Sequence, residues 1–318
     1  MSLFQKDYVV VDGFDEKADA VVALGDSLEF AKTLPSGFSR LIISSPPYNI
    51  GKAYEKQVPI QDYLDNIEPL LSELCRLLSA DGSFCWQVGN HVDDGEVFPL
   101  DAFFYHQLKK LGLRLRNRIV WHFEHGLHAS HRFSGRYETL LWFTKTDDYI
   151  FNLDSVRIPS KYPGKTHFKG EKKGLPSGNP LGKNPSDFWR VMESEWSSGI
   201  WDFPNVKANH PEKMSHPCQF PVELVERCVL SMTNPGDWVY DPFLGSGSSI
   251  IAALKNGRRG AGVDYSPEYV ELANTRIRLL ESGELKTRPI GKPVYQPTGR
   301  EKVAQAPSSW QQPIEQLL

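Results

Sequence analysis

Apolar segments alternate with polar, glycine- and proline-punctuated stretches along most of this chain. Segments 19–24, 40–44, 83–88, 117–123, 138–144, 237–241 and 260–264 are short and apolar, and predict buried strands. Residues 62–79 follow a different period. Tyr63, Ile67, Leu70, Leu71, Leu74, Leu77 and Leu78 fall on one helical face, Gly82 closes the run, and Pro69 should kink or restart it. A further helix is expected over Ile250–Lys255 with Gly257 at its C-terminal cap. Another opens at Ser266-Pro267-Glu268, with a capping serine, proline at the first position and an early acid. Strands alternating with helices imply an α/β fold with a mostly parallel, doubly wound sheet.

Two of the predicted strands end in unusual ways. After Leu41-Ile42-Ile43-Ser44 the chain reads Ser45-Pro46-Pro47-Tyr48. Two prolines cannot continue a sheet ladder, so the strand stops and a rigid lip forms at its carboxyl end, the ligand edge of open α/β sheets. The lip offers a hydroxyl, backbone carbonyls and an aromatic ring. That set suits a flat ring bearing an exocyclic amine. The second strand, Trp238-Val239-Tyr240, runs into Asp241-Pro242-Phe243-Leu244-Gly245-Ser246-Gly247-Ser248-Ser249 and then a helix. Glycines there admit a close ligand, and the helix N-terminus presents free N–H groups. The next strand ends on Asp264, nineteen residues after Gly245, where an acid grips a ribose diol in nucleotide-binding folds. A pyrophosphate fingerprint would want a third glycine at position 250, which is isoleucine here. A smaller nucleoside ligand fits that difference better.

Together these motifs resemble the catalytic and cofactor motifs of the S-adenosylmethionine-dependent DNA amino-methyltransferases. Their order, catalytic motif first, is similar to that family's beta group. Gly25-Asp26-Ser27 resembles the acidic turn on the cofactor's adenine side. Lys213 and His216-Pro217-Cys218-Gln219-Phe220-Pro221 resemble the segment entering the helix beside the methionine end. The resemblance covers roughly residues 20–150 and 210–280 and implies a seven-stranded Rossmann-like sheet with one reversed strand. It implies Ser45, Pro46, Pro47 and Tyr48 as catalytic residues. For S-adenosylmethionine it implies Asp26, Ser27, His216, Asp241, Pro242, Phe243, Gly245, Ser246, Gly247, Ser248 and Asp264. Serine heading the first motif favours cytosine N4 as acceptor, with adenine N6 as the alternative.

Charge refines the picture. The net charge of −3 does not advertise a nucleic-acid binder. Residues 155–190, however, hold eight Lys and Arg against Glu171 and Asp187, a local +6, with Tyr162, Phe168, Phe188 and Trp189 interleaved. This reads as an irregular target-recognition insertion, with Lys161, Lys165, Lys169, Lys172 and Lys173 tracking phosphates. The segment His125–Arg136, with His125, His128 and His131 spaced by three, reads as a DNA-facing loop carrying Arg132 and Arg136. No acid or cysteine supports a metal there. Pro217-Cys218-Gln219 spells the tripeptide of C5-cytosine enzymes, but the motif order is wrong for them, and a packed free thiol is expected.

The four cysteines have no C-x-x-C spacing, no apolar run is long enough to span a membrane, and Met1–Asp7 is unlike a signal peptide, so a cytoplasmic protein is expected. The expected organisation is a catalytic half at 1–150, the basic insertion at 151–205, a cofactor half at 206–281 and an extended or disordered tail at 282–318. Double-stranded DNA is the expected partner, with a restriction endonuclease acting separately. A nicotinamide-dependent oxidoreductase and a catalytically dead DNA-binding protein are the alternative readings.

Overall fold

The computed structural model describes residues 7–51, 55–123, 128–189, 212 and 220–289. In chain order it contains β1 (Val10–Val11), β2 (Ala20–Leu24), α1 (Ser27–Thr33), β3 (Ser39–Ser44), α2 (Ile60–Leu77), β4 (Leu78–Val88), β5 (Asn90–Asp93), β6 (Glu96–Pro99) and α3 (Leu100–Lys110). There follow β7 (Arg114–His122), β8 (Tyr137–Thr144), a 3-10 turn (Leu153–Val156), β9 (Phe188–Trp189), α4 (Val222–Met232), β10 (Trp238–Asp241), α5 (Ser248–Lys255), β11 (Arg259–Asp264) and α6 (Pro267–Glu281).

Nine of these strands form one sheet in the order β1-β2-β11-β10-β3-β4-β8-β7-β9. All neighbouring pairs are parallel except β4–β8 and β8–β7, so β8 is the reversed strand. The seven expected strands are its body. The two extra strands, β1 and β9, have two residues each and extend its edges.

Alternation along each strand splits the core between two faces. Leu41 and Ile43 of β3 face α4, α5 and α6, while Ile42 faces α1, α2 and α3. Helices therefore cover both sides, which is why these strands are apolar throughout. From β10 the chain crosses α5 to β11 on one side; from β3 it crosses α2 to β4 on the other. The order reverses between β10 and β3, and ligands of open α/β sheets bind at such a crevice.

Three local expectations are corrected. The helix α2 runs through Pro69 without a restart. Gly82 does not cap that helix: Leu78 turns directly into β4, and Gly82 lies within the strand. A Cβ on Gly82 would come within 2.8 Å of the Arg40 carbonyl oxygen, so only glycine allows that approach. Ser266 occupies the N-cap position of α6, but its side chain makes no capping bond. The predicted Gly257 cap is present, with φ +70° just after α5.

Residues 284–289 have no helix or strand, as expected of the tail, yet they are docked. The Arg288 backbone N–H donates to Glu212 (2.9 Å), and its guanidinium pairs with Glu223 in a buried setting. The remainder of the tail lies outside the described residues. Among the described residues, no helix is long and apolar enough to cross a membrane.

Candidate active site

At the strand-order reversal, the carboxyl ends of β3 and β10 meet although their residues lie 197 positions apart. The Ser44 hydroxyl donates to Asp241 Oδ1 at 2.5 Å. The same oxygen accepts the Phe243 N–H (3.1 Å), and Oδ2 accepts the Ser249 hydroxyl (2.6 Å). One buried carboxylate thus ties together two strand ends and the first turn of α5. Burial raises its pKa to about 7, against the opposing pull of those hydrogen bonds. Asp241 is 4% exposed, so its side chain holds the two loops at fixed spacing and is turned away from the ligand edge.

The lip itself is braced from three directions. Tyr48 Oη lies 3.1 Å from Ser45 Oγ and donates to Glu138 Oε2 at 3.2 Å. Gln87 Nε2 also donates to that Glu138 oxygen. The Tyr63 hydroxyl donates to the Pro47 carbonyl at 2.6 Å. Gly89 makes room for the Tyr48 ring, since a Cβ there would sit 3.1 Å from Tyr48 Cε2. Beyond the lip, Asn49 takes a left-handed conformation (φ +59°) and its side chain pairs with both backbone groups of Val58.

Sequence reasoning missed Glu138, Gln87 and Tyr63. The available signal was a polar residue at the end of each of two apolar strands. Because β8 is antiparallel to β4, its beginning lies on the same sheet edge as the end of β4.

The other side of the crevice is built from β10, β11 and β2. The Gly245 N–H donates to Asp264 Oδ2 (2.8 Å) and the Ser266 N–H to Oδ1 (2.9 Å). Burial raises the Asp264 pKa, and these backbone bonds oppose the rise. Ser27 Oγ donates to the Pro242 carbonyl at 2.5 Å, tying the acidic turn to the glycine loop. Asp26 caps α1, with Oδ1 accepting from Leu28 and Glu29 (2.9 and 3.0 Å). Gly247 opens α5 at φ +75°, and a Cβ there would lie 2.9 Å from the Ala273 Cβ. Asp26, Ser27, Pro242, Phe243, Gly245, Gly247 and Asp264 are thereby gathered at one edge, beside the exposed Tyr265 ring.

Ser246 and Ser248 correct the sequence picture. Their hydroxyls lie 3.2 and 3.1 Å from Arg276 Nη1, and the Ser246 carbonyl accepts from it at 2.6 Å. Any part these serines play at the ligand edge is through their backbone. Burial pushes the Arg276 pKa down to about 10. This arginine was legible only as the odd member of the apolar stripe Ala273, Arg276, Ile277 on α6.

The basic insertion is more ordered than expected. Ile158 and Lys183 bridge in antiparallel fashion, as do Thr166 and Pro176, so residues 158–183 form a hairpin-like arm. Lys161, Lys165, Lys169, Lys172 and Lys173 are exposed along it, and Phe168 near its tip is 90% exposed. The arm returns as β9, which puts Trp189 in the core against β7. Arg132 and Arg136 lie in the loop between β7 and β8, on the same sheet edge as the lip, with Phe133 fully exposed between them. Arg136 Nη2 lies 3.3 Å from His128 Nδ1. His125, Arg190, Lys213, His216 and Cys218 lie outside the described residues.

The fold and site define an α/β enzyme with a nucleoside edge on one side of a strand-order switch and a proline-stiffened acceptor lip on the other. Residues 39–275 match the DNA methylase family, and the chain belongs to it. Type II methyltransferase M.BglII of Bacillus subtilis is 44% identical over 250 residues, which are 78% of this chain and 66% of that protein. Among solved structures, a DNA modification methylase from Thermus thermophilus (TTHA0409), complexed with S-adenosyl-L-methionine, superimposes with a TM-score of 0.54 at 27% identity, covering 82% of this chain and 93% of that one. The PvuII DNA methyltransferase (cytosine-N4-specific) shares the fold, with a TM-score of 0.62 at 20% identity, covering 89% and 96%.

Proposed function

We propose that this protein is a site-specific DNA methyltransferase that moves a methyl group from S-adenosylmethionine to the N4 amino group of a flipped-out cytosine in duplex DNA. The observation that carries this reading is the Ser44–Asp241 link, which holds the Ser-Pro-Pro-Tyr lip directly beside the glycine loop. The edge chemistry fits the cofactor: carboxylates at Asp26 and Asp264 for hydroxyl or ammonium groups, and aromatic faces at Phe243 and Tyr265 for a purine. S-adenosylmethionine, when bound, supplies an electrophilic methyl on a sulfonium.

The chain's own residues handle the acceptor. A base inside a duplex hides its amine in the stack, so it must be extruded at a cost of a few kcal/mol. The Tyr48 ring stacks on the extruded base. The Ser45 hydroxyl and the Pro46 carbonyl accept its amine protons. An aromatic amine is a poor nucleophile because its lone pair is delocalised. Two acceptors draw the nitrogen toward tetrahedral geometry and localise that pair, so positioning supplies most of the catalysis. Arg132, Arg136 and the lysines of the 158–183 arm bind the phosphates. The protein acts in the cytoplasm, alongside a separate restriction endonuclease of the same specificity.

Nucleoside mass spectrometry on mixed-sequence duplex DNA incubated with S-adenosylmethionine tests this. N4-methylcytidine is expected. N6-methyladenine would keep the mechanism and correct the base, and no methylated nucleoside would overturn the proposal.

Two further results are expected. Asp264→Ala should weaken S-adenosylmethionine binding about 10- to 100-fold by calorimetry, the scale of a hydrogen bond to a charged group, with a smaller effect on the rate at saturation. Replacing Lys169, Lys172 and Lys173 together by alanine should lower DNA affinity for all sequences alike. It should also flatten the log–log salt dependence by about 2.7, measured by fluorescence anisotropy across a salt series.

A further inference from the structure

The geometry points to Glu138 as the terminus of a proton relay, Ser45–Tyr48–Glu138, that takes up the proton the target amine must lose. This inference rests on the methyltransferase reading above.

Hydrogen-bond direction is the first argument. The Tyr48 hydroxyl has one proton, and it is directed at Glu138 Oε2, 3.2 Å away. The 3.1 Å contact between Ser45 and Tyr48 then has Ser45 as donor. Both lone pairs of Ser45 Oγ remain to accept from the amine. An ionised Glu138 therefore sets the polarity of the whole chain. With Glu138 protonated and donating to Tyr48, the Tyr48 proton can turn to Ser45, and the lip loses acceptor capacity.

The second argument is proton balance. As the amine nitrogen forms its bond to the methyl carbon, the carbon–sulfur electron pair stays with sulfur and the nitrogen becomes cationic. Its proton passes to Ser45 Oγ, the Ser45 proton to Tyr48 Oη and the Tyr48 proton to Glu138. Each hydroxyl gains one proton and loses one, and the carboxylate ends as a neutral acid. No other acceptor is needed.

The surroundings suit that role. Burial raises the Glu138 pKa to about 7, while its bonds from Gln87 and Tyr48 oppose the rise. A carboxyl with that affinity takes a proton during turnover and releases it to neutral solvent afterwards. Glu138 keeps part of its surface exposed, which gives the proton a way out. The titratable and charged groups around it are Tyr48 from the lip, Arg136 and Tyr137 before it on the chain, and His122 opposite Tyr137 on β7. Gln87 of β4 and Trp121 of β7, its other neighbours, do not titrate. Glu138 acts through Tyr48 and Ser45, as a positioning residue that also stores the proton.

The test is single-turnover methyl transfer from radiolabelled S-adenosylmethionine to genomic DNA of a methylation-deficient strain, across about pH 5.5 to 9. The wild-type rate constant should rise with pH and level off above about pH 7, because only ionised Glu138 completes the relay. Glu138→Gln should lower the plateau about 10- to 100-fold and erase the inflection. Tyr48→Phe, which leaves Glu138 in place, should erase it as well and carries the test if Glu138→Gln misfolds. In the protein alone, difference infrared spectroscopy should show a carboxyl band that titrates near pH 7 and is lost in Glu138→Gln, while the Asp241 band persists. A Glu138→Gln enzyme that keeps the wild-type rate and inflection would overturn the relay and leave the methyltransferase reading intact. A wild-type protein that transfers no methyl would overturn both.

Discussion

Ser45→Ala should slow methyl transfer by about 100-fold or more while leaving the affinity for S-adenosylmethionine within about twofold. The hydroxyl sits on the acceptor lip, and its hydrogen-bond partner among the described residues is Tyr48. The alanine variant keeps both prolines, and with them the course of the lip. It also keeps the Ser44–Asp241 link that holds the glycine loop in place. What it loses is an acceptor that draws the amine out of conjugation, an interaction made most strongly as the bond forms. Such a loss lowers kcat and kcat/KM together and spares ground-state binding. Single-turnover kinetics with a parallel cofactor titration separates the two quantities. Equal losses in rate and in cofactor affinity would sink the division of labour between lip and loop.

The largest stability effect is expected at Asp241. Asp241→Ala leaves the Ser44 hydroxyl, the Ser249 hydroxyl and the Phe243 N–H without their buried acceptor. At about 1–3 kcal/mol for each stranded donor, with some relaxation, the loss is about 4 kcal/mol. For a chain of this size that lowers Tm by about 6 °C, readable by scanning calorimetry. Activity should fall as well, since the lip and loop no longer share an anchor.

Asp241→Asn separates shape from charge. The native pKa of about 7 stands above the ordinary aspartate value, so between about pH 4 and 7 the folded state holds more protons than the unfolded one. The contribution of this site is therefore complete at the acid end of that window and is lost as pH rises through 7. The Tm gap between wild type and Asp241→Asn should be widest near pH 4 and narrow toward pH 8.

Much of this protein was legible before folding was considered. All seven expected strands form, because each is a short apolar run bounded by turn residues, and burial on both faces of a parallel sheet demands that pattern. The stop after Ser44 is equally local: two consecutive prolines end a ladder wherever they occur. The Gly247 turn follows from the left-handed φ that glycine tolerates, and the Gly257 cap from the same freedom. Edge strands β1 and β9, two residues each, carry too short a pattern to read and exist only because a neighbour supplies hydrogen bonds.

The site's chemistry divides along the same line. Local sequence determined which residues could accept an amine and which loop could cradle a nucleoside. Only the tertiary structure decided that they are neighbours, because strand order in a sheet is set by long-range packing of both faces. Reversal of β8 delivers Glu138 to the lip, and α6 packing slides Arg276 beneath the glycine loop. Burial then changes what those groups are: carboxyls at Asp241 and Glu138 that would titrate near 4 in water do so near 7 here. A residue's identity comes from the chain, but its proton affinity and its partners come from where the fold places it.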